Sequence, residues 1–337
     1  MSDLTRVASP PVVQKPRRPR AASWCAVGKP PTARARLILG VLSFALPFAL
    51  WCVVSYVPFV WHPLIAITDP GDVSYYEVGM RAPKDDFADA VRTAIAAHQQ
   101  PPKGVPANPV YLPAPDEVAR ALWAAVSVPS GTPEEFRLST SLWHSIQIMV
   151  WAFLISSAIG VPLGILSGAY SSIGRLTEPF VEFFRYLPAP AFGALCVAIL
   201  GIYDAPKIAI IVIGTFFQQV LIIAATTRRV DYALLEAAQT LGARNLRLVL
   251  KVVVPAALPD LYKDQRILLG WAWTYLIVAE LVGTSSGITF FITQQARYLH
   301  FDNVYAAILV LGIVGFGSDL VLAWLGRWLF PWKRISA

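Results

Sequence analysis

The sequence has few of the residues on which disulfide frameworks, metal centres and charged surfaces depend. Its 337 residues include only 3 cysteines and 4 histidines, and charged residues make up only 15% of the chain. Cys25, Cys52 and Cys196 have no paired spacing, and His144 and His300 lie far apart. Neither a disulfide framework nor a zinc motif is indicated. The sequence therefore predicts no metal and no cofactor.

The chain also lacks the sequence motifs of common catalytic sites. Its one Gly-Lys pair, Gly28-Lys29, is followed by Pro30 and has no glycine upstream at the spacing of a phosphate-binding loop. There is no nucleophile elbow, kinase motif or zinc motif. We do not expect the chain to be an enzyme, so if ATP drives its activity, another chain must hydrolyse that ATP.

Apolar residues are abundant. They make up 56% of the chain, and the mean hydropathy is +0.55, which is high for a soluble domain. A bilayer crossing needs about 20 apolar residues, and six runs approach or exceed that length: 37–60, 142–168, 176–201, 205–226, 264–283 and 303–329. Pro188 and Pro190 interrupt the third run, and Glu280 lies in the fifth. The composition predicts an all-α polytopic membrane protein with about six transmembrane helices.

The distribution of charge predicts the orientation. Cytoplasmic loops carry an excess of Lys and Arg, and this excess occurs in 1–36, in the loop 228–262 and in the C-terminal tail. We predict that 1–36 is a disordered basic cytoplasmic tail, that 37–60 is the first transmembrane helix, and that both termini are cytoplasmic. The acidic segment 61–136 should lie outside. The net charge of +7 then reflects topology and attraction to anionic membrane lipid rather than nucleic-acid binding.

The basic loop contains a pattern typical of a helical hairpin. Glu236, Ala237 and Ala238 lie in a run that favours a helix, and Gly242 can end that helix in a left-handed turn. A second helical run is expected to begin near residue 245, and Pro255 follows Gly242 by thirteen residues. Small alanines also let another surface approach the helix closely. An ordinary surface hairpin that binds nothing is the alternative.

These residues resemble the EAA signature of the permease subunits of ATP-binding-cassette (ABC) importers. The family pattern is Glu-Ala-Ala, then Gly six residues after the Glu, then Ile-x-Leu-Pro; here Val252 and Val254 replace Ile and Leu. The resemblance implies that Glu236, Ala237, Ala238, Gly242 and Pro255 couple the permease to its ATPase.

Further segments resemble the same family, and in particular its nitrate, sulfonate and taurine branch. The resemblance runs from Leu112 to Trp332 and includes four segments: 112–118, 160–164, 185–191 and 279–283. It implies the type I, MetI-like permease fold, with a permease core of five transmembrane helices over 137–332. Residues 63–109 look like an insertion, either a neutral loop expansion or a docking element for a binding protein.

The resemblance also implies an assembly and a substrate class. The expected partners are a pair of ABC ATPase subunits, a periplasmic substrate-binding protein and a second permease copy that forms a homodimer, all at the bacterial inner membrane. The expected cargo is a small solute such as a sulfonate, taurine, nitrate or a similar anion. A vitamin precursor is an alternative cargo. A secondary transporter driven by an ion gradient, or a scaffold without a pathway, would be an alternative function.

Four residues are candidates for the translocation path: Tyr186, Pro188, Trp273 and Glu280. Broken backbone and acidic side chains at membrane depth are costly unless they face protein or a water-filled cavity. Glu280 is expected either to bond to a helix end or to line the path. Asp319, in the sixth run, is expected to pair with a nearby base such as Arg327.

Overall fold

The computed structural model describes residues 32–57, 61–127, 137–282 and 286–333. It separates into two compact units, Met1–Trp61 and His62–Ala337. Most of the predicted basic tail, including Cys25 and the Gly28-Lys29 pair, lies outside the described residues. The described helices are α1 (Ala33–Tyr56), α2 (Lys84–Ala96), α3 (Pro115–Val126), α4 (Leu138–Ala169), α5 (Ser171–Phe184), α6 (Gly193–Leu200), α7 (Asp204–Arg228), α8 (Tyr232–Thr240), α9 (Asn245–Leu248), α10 (Val254–Val282), α11 (Ile288–Arg297) and α12 (Phe301–Leu329).

Four of these helices are long and apolar enough to cross a membrane: α1, α4, α7 and α12. A fifth crossing results if α5 and the segment Ala189–Leu200 count as one span, although their axes differ by 84°. The bend falls where the sequence places Pro188 and Pro190, because proline cannot continue the hydrogen bonding of a helix. The helix α10, with 29 residues, corresponds to the fifth predicted run. Among the described residues, length and composition thus identify four or five spans where the sequence predicts about six.

The core of the larger unit is built on the packing of α4 against α7. Small residues recur on one side of α4, at Ala152, Ser156, Gly160 and Gly164, which are four residues apart and so share a face. A Cβ atom added to Gly164 would lie 2.7 Å from the Cβ atom of Ile223 on α7. The two backbones approach closely because these side chains are small.

The segment 61–136, predicted to lie outside, contains a small sheet that its turn-rich sequence did not indicate. Strand β1 (Leu64–Asp69) pairs antiparallel with β2 (Arg81–Pro83) on one side and β3 (Lys103–Ala107) on the other. Helix α2 packs Ala90 and Ala94 in a cluster with Ile67 of the sheet. The prediction of an all-α protein holds for the part that resembles the permeases, and the segment predicted to be an insertion adds a folded α/β element.

Candidate coupling loop and transmembrane polar core

The predicted coupling loop forms a helical hairpin whose turn is fixed locally. Asp231 caps α8 by accepting a hydrogen bond from the Ala233 N–H at 3.0 Å. At the other end, the Gly242 N–H donates to the Gln239 carbonyl and the Ala243 N–H to the Ala238 carbonyl, both at 2.9 Å. This is a Schellman motif, and Gly242 supplies its left-handed residue with φ +87°. A Cβ atom there would meet nothing within 4 Å, so backbone conformation rather than space requires the glycine.

The hairpin exposes apolar side chains that the other described residues do not cover. No residue of α8 is buried, and Glu236 and Ala237 are exposed while Ala238 is half-buried. Beyond α8, Leu241 is 90% exposed and Leu246 54% exposed. Exposed apolar groups grouped in this way mark interaction surfaces.

The second arm of the hairpin is continuous with a long helix of the core. The short helix α9 leads into a π-helical turn, Val249–Val253, and then directly into α10. Val249 and Val253 are buried and anchor this arm. Pro255 is the second residue of α10, where its missing N–H is tolerated because the π turn has already changed the hydrogen-bond pattern. Pro255 therefore lies at the start of the core helix, not in the turn.

At the other end of α10, Glu280 holds the N-terminus of α11. Its carboxylate accepts hydrogen bonds from the Ser145 hydroxyl of α4 and from the Thr289 N–H, the latter at 2.8 Å. Ser145 Oγ also accepts from the Ile288 N–H at 2.7 Å. Glu280 has no exposed surface, and Gly287, with φ +102°, leaves room for its carboxylate. A negative charge at a helix N-terminus is favourable. Of the two interpretations of Glu280, this geometry favours the bond to a helix end.

A second polar cluster lies beside this one and was missed in the sequence. Lys207 of α7 has no exposed surface, and its Nζ donates to Asp204 Oδ1 at 3.3 Å and to Ser286 Oγ at 2.9 Å. His144 Nε2 lies 3.0 Å from the same Asp204 oxygen and 3.1 Å from Ser286 Oγ. The cluster joins α4, α7 and the residues before α11. A lysine three residues after an aspartate, at the start of an apolar run, was the available signal.

A third polar network crosses the middle of α4, α7 and α10. Gln219 accepts from Ser156 at 2.7 Å and donates to Ser157 Oγ at 2.9 Å and to Gln265 Oε1 at 2.7 Å. Thr215 adds a bond to Ser156 Oγ at 3.0 Å. Uncharged polar side chains scattered through apolar runs give no distinctive pattern, so the sequence did not reveal this network.

Asp319 does pair with a base, but the base is not the one named from the sequence. Asp319 pairs with Arg266 of α10 rather than with Arg327, through two hydrogen bonds of 3.0 and 2.8 Å to the guanidinium. The pair is bidentate and joins α10 to α12. Arg327 lies eight residues further along the same helix, whereas Arg266 is 53 residues away in the sequence, and only the fold brings it close.

The four candidate path residues do not form one surface within the chain. Trp273 is buried, and its indole N–H donates to Ser318 at 3.3 Å. Tyr186 is 75% exposed, and Pro188 is also exposed, at the bend between α5 and α6. Arg185 stacks over the Tyr186 ring, 4.8 Å from its centroid. Glu280 and Trp273 thus belong to the interior of the chain, and Tyr186 and Pro188 to its surface.

The described ranges contain no group of three or more His, Cys, Asp or Glu side chains that could hold a metal. The segment 279–283, which resembles the permease family, ends at Gly283, and Gly283 lies outside the described residues. The features that the described residues do offer are an exposed helical hairpin at one end of α10 and buried polar clusters along the rest of it.

Comparison with known proteins agrees with this arrangement. Residues 160–335, more than half of the chain, match the family described as binding-protein-dependent transport system inner membrane component. The taurine transport system permease protein of Escherichia coli is 30% identical over 229 residues, which cover 67% of this chain and 81% of that protein. The aliphatic sulfonates transport permease protein of Bacillus subtilis, a putative assignment, is 32% identical over 207 residues, or 60% and 75% of the two chains.

A solved structure shares the fold. The methionine ABC transporter MetNI, in inward-facing conformations, includes a chain that superposes with a TM-score of 0.53 at 20% identity, covering 59% of this chain and 98% of that one. Together with the family match, this similarity confirms the predicted MetI-like permease fold. The chain belongs to the family of binding-protein-dependent transport system inner membrane components, the permeases of ABC importers.

Proposed function

We propose that this permease moves a small anion across the membrane, and that the α8–α9 hairpin couples it to a separate ATPase. The observation that carries the proposal is the exposed hairpin, which has no buried residue in α8 and a turn fixed by Gly242. The relatives are named for taurine, aliphatic sulfonates and bicarbonate, and each of these carries an anionic group. Family membership favours ATP-driven import over an ion-gradient mechanism. A vitamin precursor is the second candidate cargo.

The coupling step follows from continuity of the helix. A displacement of α8 or α9 by the ATPase is passed to the π turn and then to α10, because α9, the π turn and α10 are continuous in the chain. Helix α10 carries Gln265 in the middle polar network and Glu280 at the far end. Movement of the hairpin is therefore transmitted to the contacts among α4, α7 and α11.

The assembly that supports this step contains two permeases, two ATPase subunits and a secreted binding protein. Rotational dimers are the commonest closed assembly, and two hairpins would then engage two ATPases. The surface residues Tyr186 and Pro188 are available to a path between two copies. Glu280, in contrast, is bonded to Ser145 of α4 and to the Thr289 N–H, so it holds the start of α11; this set of contacts is called the Glu280 clamp below. ATP hydrolysis takes place on the partner subunits.

The coupling role is tested by Gly242→Val, with Gly201→Val as its matched control. Both glycines have positive φ, +87° and +85°, and open space around the missing Cβ, so valine strains the backbone at each. The strain is ~1–2 kcal/mol at Gly242, and it is no smaller at Gly201, whose ψ of −166° places it in a region essentially restricted to glycine. Only Gly242 lies in the hairpin; Gly201 lies between α6 and α7. Co-purification with the ATPase should fall about tenfold for Gly242→Val and stay normal for Gly201→Val. Equal behaviour of the two variants would contradict the assignment.

The orientation is tested by cysteine labelling in intact cells. After Cys25, Cys52 and Cys196 are replaced, single cysteines are placed at Lys103, in β3, and at Ser336, which lies outside the described residues. A membrane-impermeant maleimide should label the first and not the second, because the acidic segment is expected outside and both termini inside. The opposite pattern would place the hairpin on the wrong side for an ATPase.

A further inference from the structure

A groove of about 810 Å³ lies where the inserted α/β element meets the core. One wall is formed by Gly79 and Arg81 of the insertion, the second by α3, and the third by the turn between α11 and α12. The insertion lies outside residues 160–335, the range that matches the family model. The wall that contains Gly79 and Arg81 is therefore outside the matched range, whereas the α11–α12 turn lies within it, and the groove forms where the insertion meets the shared core.

The walls are fixed to one another by specific contacts. Arg81 forms an ion pair with Glu117 of α3 at 3.1 Å and donates to the Asn108 carbonyl at 3.4 Å. Glu117 also accepts from the Ala114 N–H at 3.0 Å and so caps α3. Helix α3 packs against α12, and its Val118 is buried. A ligand that enters the groove meets a preformed surface rather than a loose loop.

The third wall is connected to the Glu280 clamp through a single short helix. Helix α11 starts at the bonds to Ser145 and Glu280 and ends at the turn Tyr298–His300. At ten residues it is roughly 15 Å long. Leu299 in this turn has φ +61°, an unfavourable conformation for leucine, and strained backbone of this kind clusters at functional sites. Asn303 Nδ2 donates to Gln295 Oε1 at 2.8 Å, so α12 and α11 are bonded at this point.

The surface of the groove favours a protein with basic groups. The segment 61–136 has ten acidic and five basic residues, so its net charge is negative. The cations that line the groove are paired, Arg81 with Glu117 and Arg120 with Asp116 at 2.7 Å. Asp302 of the groove forms no ion pair among the described residues. Beside it Leu299 is 63% exposed, an apolar side chain of the size that anchors protein interfaces.

We propose that this groove is the docking site for a basic surface loop of the secreted solute-binding protein, which contacts Asp302 and Leu299 and thereby acts on α11 and the Glu280 clamp. The inference rests on the proposed function, because it requires a binding-protein-dependent importer. The proposal gives the insertion a role in docking, whereas a neutral loop expansion would have no role. Docking on the α11–α12 turn is relayed to the ends of α4 and α10, where Ser145 and Glu280 hold α11.

The test uses the permease and its ATPase in lipid nanodiscs, with a purified solute-binding protein from the same organism. Its affinity is measured by biolayer interferometry for the wild type, Asp302→Lys and Asp89→Lys. The control makes the same charge change outside the groove, since Asp89 lies on α2 of the insertion with a side chain that is 72% exposed. Asp302→Lys should weaken binding about tenfold or more, and Asp89→Lys by less than about twofold.

A second variant tests the apolar anchor. Leu299→Asn removes the apolar side chain and introduces a residue that tolerates the left-handed conformation. The affinity for the binding protein should therefore fall, while the thermal unfolding temperature and co-purification with the ATPase stay normal. If Asp302→Lys and Asp89→Lys weaken binding equally, or if neither groove variant weakens it, the groove assignment is wrong although the importer function stands. If the wild-type complex fails to bind the protein at all, the proposed partner itself is wrong.

Discussion

The two ends of α10 differ in burial: the hairpin end is exposed, and the Glu280 end is buried. At the hairpin end, no residue of α8 is buried, and the hydrogen bonds that fix the turn are local. At the Glu280 end, the ionisable side chains of Glu280 and Lys207 have no exposed surface, and they bond to residues of other elements. A surface that leaves apolar groups open is completed by another protein, whereas a buried charge must be satisfied within the chain. The hairpin end is therefore the surface that the proposed function assigns to a partner, and the Glu280 end holds its own helices together.

The largest effect on stability is expected at the Glu280 clamp. Glu280→Ala leaves the Ser145 hydroxyl and the Thr289 N–H without an acceptor, at a cost of ~1–3 kcal/mol for each buried donor. Glu280→Gln retains the size and one carbonyl acceptor, so its loss should be smaller. Thermal unfolding of the purified protein in detergent measures both. Normal stability of Glu280→Gln together with abolished uptake would instead support a role in the path.

A smaller effect is expected at the Arg266–Asp319 pair. The pair is partly buried, with side chains 20% and 43% exposed, and it joins α10 to α12. Removing either partner should destabilise the protein, and a double-mutant cycle of Arg266→Ala and Asp319→Ala should give a coupling of about 0.5–3 kcal/mol. Arg327→Ala is the control, since Arg327 is the partner that the sequence suggested. A strong coupling between Asp319 and Arg327 would restore that interpretation.

The smallest effect on stability, but a large one on assembly, is expected at Leu241. Leu241→Ser removes an apolar side chain that is 90% exposed, so the free energy of unfolding should change by less than about 0.5 kcal/mol. Co-purification with the ATPase should nevertheless fall. Val78→Ser, at an exposed position between β1 and β2, is the control and should leave assembly normal. If Leu241→Ser assembled normally, the contrast between the two ends would lose its support.

Local chemistry explains what could be predicted from the sequence. Gly242 at φ +87°, the helical run from Asn245 and the bend near Pro188 each depend on residues close to one another in the chain. The partner of Asp319 could not be predicted in this way, since Arg266 is 53 residues distant. The burial of Lys207 likewise depends on Ser286, 79 residues away. Such contacts exist only once the helices have packed.

The sheet was missed for a related reason. Strand β3 contains Gly104 and Pro106, which favour turns, and it is stabilised by pairing with β1 across more than thirty residues. Local propensity in such a strand is weak, and the tertiary context decides its structure.

The register of that sheet has a consequence for the history and engineering of the chain. Leu64 at the start of β1 lies opposite Ala107 at the end of β3, and partners in an antiparallel pair are separated by about 4.5–5.5 Å between Cα atoms. The polypeptide thus enters and leaves this element at nearly the same point. An element with adjoining ends can be gained, lost or exchanged between related permeases by a single splice, without moving the helices on either side of it.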